Sequence, residues 1–173
     1  MNQSGGNDTQ DFFDRFTDNA KHSLEFADMI AAQLGSPYIG TEHMLLGVLQ
    51  QEESVGSQIL KDAGVSIDRA QVAMTVAPSV MSIGLNKGLS ETAKLTLTLS
   101  YRIAQEFGQP YAGTEHILFA ILNQKNARAN AVLREIAVDP ESVHSALEEY
   151  LVGQQEQTEQ AGTTKGKNKS KTP

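Results

Sequence analysis

The residues of this sequence equipped for chemistry are few: His22, His43, His116 and His144, the glutamates Glu42 and Glu115 that precede two of them, and no cysteine. Without cysteine there is no thiolate metal site, no sulfur nucleophile and no disulfide framework. A small metal-dependent hydrolase using His43, His116 and nearby acids is the enzyme these residues would support. Their spacing opposes it. There is no His-Glu-x-x-His, and adjacent Glu and His project about 100° apart on a helix, so they do not chelate one ion by themselves. No metal ligand and no catalytic residue is assigned, and His43 and His116 read as polar groups that seat a turn. Nor does the chain contain Gly-x-Ser-x-Gly, a Walker-type phosphate loop or Gly-x-Gly-x-x-Gly.

Glu42 and Glu115 suit a different chemistry. Each follows Gly-Thr at a predicted helix start, where a carboxylate complements the helix dipole by roughly 0.3 to 1 kcal/mol. The same carboxylate can accept a guanidinium bidentately. Thr17 and Ser90 open two other predicted helices, whose first amides have no intrahelical partner and can take an anion. A carboxylate beside such a helix start would fit a zwitterionic ligand such as an arginine bearing a phosphate. Thr17, Glu42, Ser90 and Glu115 are therefore the candidate binding residues for a guanidinium or a phosphoarginine.

The elements that must position these residues come in two copies. A shift of 73 residues lays 16–65 on 89–138 without a gap, with 17 identities in 50 positions. The longest shared block runs from Gly35 to His43 and from Gly108 to His116. In the first copy Thr17 caps a helix whose apolar stripe is Ala20, Leu24, Ala27, Ala31 and Leu34, and Gly35 with Pro37 stops it. A second helix starts at Thr41 and buries Met44, Leu45, Val48 and Leu49. A third spans about Val55 to Ala63 before Gly64, and a fourth begins after Ser66 and reaches about Ala77 before Pro78. The second copy repeats the scheme, with Asp139 as N-cap and Pro140 at the first helical position. Lys94 to Tyr101 alternates apolar and polar residues as a half-buried strand does, but its partner in the first copy suits a helix, and gapless copies share a fold. The expected architecture is all-α: two pseudo-symmetric four-helix repeats packed as one compact eight-helix domain over residues 12–152. Repeat 1 covers about 16–77, a linker 78–88 and repeat 2 about 89–152.

The ends differ from this core. Residues 1–11 are rich in Asn, Gln, Ser and Gly, and 153–173 contain no large apolar residue, so both are expected to be disordered tails. The formal charge of −7 is the wrong sign for a nucleic-acid grip. No basic segment followed by an apolar run opens the chain, and no 18 apolar residues are consecutive. The expectation is a cytoplasmic protein with neither nucleic-acid nor membrane partners.

The doubled Gly-Thr-Glu-His, each copy preceded by a long helix ending in Gly and followed by Met44 to Leu49 or Ile117 to Leu122, resembles the Clp N-terminal repeat domain of the ClpC-like Clp ATPases. The resemblance covers about residues 12–152. It implies a docking domain on an unfoldase that feeds a ClpP-type protease, with protein substrates and adaptors as partners and, in some bacteria, arginine-phosphorylated proteins. By that likeness Glu42 and Glu115 match the family's guanidinium-binding acids, and Thr17 and Ser90 the hydroxyl residues near the phosphate. The chain departs from the family's Gly-containing turn at Gln51-Glu52-Glu53-Ser54 and Gln124-Lys125-Asn126-Ala127. No cofactor is expected in this chain, ATP and Mg²⁺ belonging to the ATPase modules of a full-length parent. The tail from Asn168 resembles the linker into the first such module, so the chain reads as an excised domain. The alternative is a stand-alone regulator acting on a Clp protease in trans.

Overall fold

In a computed structural model, which describes residues 11–76 and 88–169, the repeat in sequence becomes a repeat in space. The first copy forms α1 (Asp18–Gln33), α2 (Thr41–Gln50), α3 (Val55–Asp62) and α4 (Ile67–Val76). The second forms α5 (Glu91–Glu106), α6 (Thr114–Asn123), α7 (Arg128–Glu135) and α8 (Pro140–Lys169). Corresponding helices match in length over the gapless stretch, at 16, 10 and 8 residues. The expected disordered N-terminal tail and the linker at 78–88 lie, but for Asp11 and Gly88, outside the described residues.

Helix boundaries follow local chemistry. The Thr17 and Ser90 hydroxyls accept from the amides of Ala20 and Ala93, both at 3.1 Å, which satisfies one orphan donor of each first turn. The ends of α1 and α5 turn through Gly35 and Gly108 at φ +64° and +72°. Ser36 and Gln109 then donate back to Ala31 and Ala104, the six-to-one closure that needs a left-handed residue. The segment Leu95 to Tyr101 lies within α5. Its strand-like alternation gives way because Leu97, Ser100, Ile103 and Ala104 can all be buried from a helix, and tertiary burial outweighs intrinsic preference.

Helices α2 and α6 form the centre. Every residue from Thr41 to Leu49 is buried except Glu42, and every one from Thr114 to Leu122 except Glu115. A helix apolar on all sides demands neighbours on all sides, and the other helices supply them. In α8, Val143, Leu147 and Leu151 anchor the first half to the core at four-residue spacing. Beyond it α8 runs on to Lys169, through most of the stretch from Gly153 expected as a tail. The Gln, Glu and Ala residues after Gly153 are good helix formers, and an existing helix extends without a new nucleus or new burial.

Candidate functional site

Glu42 and Glu115 sit in the first turns of the two central helices, the one position of Thr41–Leu49 and of Thr114–Leu122 that is not buried. Below each lies a histidine that fixes the turn. His43 Nδ1 accepts from the Gly40 amide and His116 Nδ1 from Gly113, both at 2.9 Å. An Nδ1 that accepts leaves the ring proton on Nε2. Burial lowers the His116 imidazole to about 4. It also lowers His43, where Glu42 opposes the shift and Arg128 adds to it. Both rings are neutral near pH 7 and hold a turn. Among the described residues no group of three or more potential ligands gathers for a metal. His144 is elsewhere, bonded to Asn123 at 2.8 Å and stacked on Phe119.

Each carboxylate folds back over the glycine of its own turn. A Cβ on Gly40 would lie 2.5 Å from Glu42 Oε2, and one on Gly113 equally close to Glu115 Oε2. The glycines of the shared block thus make room for the acids. The glutamate side chains keep 12% and 19% of their surface. Desolvation pushes the Glu115 carboxyl upward, countered by bonds to its own backbone amide and the Thr114 hydroxyl.

The partners of these acids come from the other repeat. Ile39 receives the Ser90 amide and donates to the Gly88 carbonyl, both at 2.9 Å. Correspondingly, Ala112 receives the Thr17 amide at 2.9 Å and donates to Arg15 at 2.8 Å. These isolated parallel bridges pair Ile39 with Leu89 and Phe16 with Ala112. They set the start of α5 beside Glu42 and the start of α1 beside the Glu115 turn. Of the four predicted residues, Ser90 therefore joins Glu42 and Thr17 joins Glu115, always across the repeat boundary. The third helices cross as well, since Gly56 at the start of α3 donates to Thr114 at 3.0 Å and Ala129 at the start of α7 donates to Thr41 at 3.3 Å.

Around Glu42 this arrangement leaves a cleft of about 330 Å³ lined by Tyr38, Glu42, Ser90, Thr92, Asn126 and Arg128 among others. The starts of α2, α5 and α7 all border it. Their dipoles favour negative charge, and the amides of Glu91 and Thr92 have no acceptor within α5. A carboxylate on one side and helix starts on the other can hold a cation and an anion of one ligand. Sequence reasoning missed Tyr38, Arg128 and Tyr150. Tyr38 and its counterpart Tyr111 are exposed aromatics within the repeated block, a usable signal. Arg128 is detectable only as a copy-specific charge opposite Val55. Tyr150, whose hydroxyl is pushed up by burial and by the Glu115 charge, leaves no local signal.

The description of the Clp repeat N-terminal domain family matches residues 15–79 and 88–171. The chain belongs to that family. It is 28% identical over 163 residues to chaperone protein ClpC of Pisum sativum, covering 93% of this chain and 18% of that protein. The chain spans about a fifth of the length of the curated relatives it matches. Among solved structures, the N-terminal domain of ClpD from Arabidopsis thaliana superposes with a TM-score of 0.69 at 21% identity, covering 80% of this chain and 96% of that one. A ClpV N-domain solved with a VipB peptide superposes at 0.63 and 17% identity, over 84% and 91% of the two chains. The all-α double repeat is thus the Clp N-domain fold. Among the described residues no helix of this Clp N-domain is long and apolar enough to cross a membrane.

Proposed function

We propose that this Clp N-domain is a non-catalytic docking module of a cytoplasmic, ClpC-like unfoldase that delivers clients to a ClpP-type protease, and that its two cross-repeat sites receive protein side chains, arginine phosphate among them. The observation that carries the reading is the meeting of Glu42 with the α5 start from the opposite repeat: the carboxylate pairs with a guanidinium, and the helix amides and dipole pair with its phosphate. The VipB peptide on a ClpV N-domain supports protein ligands for the fold. The sequence contains no Walker-type phosphate loop, so the proposal leaves ATP hydrolysis to other modules. Calorimetric titration of an arginine-phosphorylated protein into the domain tests it. Binding is expected, with loss in Glu42→Ala plus Glu115→Ala. No binding by the parent domain, or equal binding by the double variant, rejects arginine-phosphate docking.

A further inference from the structure

The two sites share a plan but differ in charge, and the difference arises where the third helices arrive. Gly56 and Ala129 hold corresponding positions, each donating its amide to the threonine that precedes a site glutamate, Thr114 or Thr41. The residues just before them stand at matching places: Val55 on the Glu115 side and Arg128 on the Glu42 side. Arg128 is exposed, lines the Glu42 cleft and acts electrostatically on His43 beneath it. Among the described residues it enters no ion pair. The residue two places earlier differs in the same sense, Asn126 against Glu53. The Glu42 cleft therefore offers charges of both signs, whereas a valine replaces the cation at the other site.

We propose that Arg128 makes the Glu42 cleft select a guanidinium that carries an anionic group, so that a phosphorylated arginine binds there ahead of the Glu115 site while an unmodified arginine goes first to Glu115. The inference rests on the phosphoarginine reading above and names which site takes which form of the side chain. Its physical basis is the sign of one charge. Arg128 attracts a phosphate of charge near −2 and repels a bare guanidinium, and one exposed pair of unit charges changes affinity by up to about fivefold.

The test is a nitrogen-15 NMR titration of the full chain with free phosphoarginine and, separately, with N-acetylarginine amide. The Gly40 and Gly113 amides report on the two sites, since each is bonded to the histidine beneath its glutamate. With phosphoarginine, Gly40 should reach its midpoint at about fivefold lower ligand concentration than Gly113, and with N-acetylarginine amide the order should reverse. Arg128→Val should bring the phosphoarginine midpoints closer and Asn126→Glu added to it should equalise them, Arg128→Lys should keep their order, and Val55→Arg added to Arg128→Val should move the preference toward Gly113. Equal midpoints in the parent chain, or a midpoint ratio that Arg128→Val leaves unchanged in a folded protein, overturns the inference and leaves phosphoarginine docking standing. Shifts at neither glycine reject both.

Discussion

Helix α1 meets α2, and α5 meets α6, through the same register, yet the two joints are built to different tolerances. At Gly47 of α2 an added methyl would sit 2.1 Å from the Ser23 carbonyl oxygen of α1. The corresponding residue of α6 is Ala120, fully buried and carrying that methyl, so the second joint must stand wider. A similar contrast marks the turns after the third helices. Gly64 takes φ +91°, while its counterpart Ala137 is held at φ +62° with the same pair of closing hydrogen bonds. A duplicated backbone evidently keeps its hydrogen-bond plan while its side chains, and the charges around its sites, diverge.

The largest effect to test lies in the histidines that the two turns share. His116 titrates in the native state near 4 against an ordinary 6.5. The unfolded chain therefore binds the proton first, and about 3 kcal/mol of stability, complete above pH 6.5, is lost as pH falls toward 4. His43, lowered by the same burial, acts with the same sign, while Glu115, raised by burial, partly offsets both as it protonates. Urea denaturation from pH 7.5 to 4.5 should show the loss, with the His116 ring resonances moving only near the acid end. A His116 midpoint at 6.5 would contradict the neutral, turn-holding role.

Next in size is the helix joint. Gly47→Ala should cost about 2 to 3 kcal/mol, because the obstacle is a backbone carbonyl and cannot rotate away. Ala120→Gly should cost only about 1 kcal/mol, the loss of helix propensity. Equal costs in urea midpoints would mean that the two joints are alike.

The smallest effect is a gain. Ala137→Gly removes a left-handed strain of about 1 kcal/mol at the expense of chain entropy, for a net stabilisation of about 0.5 kcal/mol. The mirror change, Gly64→Ala, should destabilise by about 1 kcal/mol. Thermal melts of the two single variants decide whether the turns differ as described.

Much of this was legible in the residues themselves. The 73-residue shift, the hydroxyl caps Thr17 and Ser90 and the stopping glycines Gly35 and Gly108 are local signals, and they placed seven helices to within a residue or two. Where local pattern and repeat symmetry disagreed, at Leu95 to Tyr101, symmetry was the better guide because it carries information about burial. Composition gave no signal for the continuation of α8 past Gly153, since lack of apolar residues predicts exposure and says little about an already nucleated helix. The site was half visible. Glu42 and Ser90 could be named singly, but their meeting depends on the Ile39 and Leu89 bridge between segments 50 residues apart, and no periodicity encodes such a contact. Arg128 escaped notice because a repeat draws the eye to what its copies share.

Neither half of this molecule is a finished object. Thr114 completes the first turn of α3 and Thr41 that of α7, so a half cut free would lose a partner for a buried amide and the neighbour of its glutamate turn. A one-copy version of this architecture would have to pair with itself, and its two glutamate turns would be identical by symmetry. Two copies in one chain are free of that obligation, and an arginine can stand on one side without standing on the other.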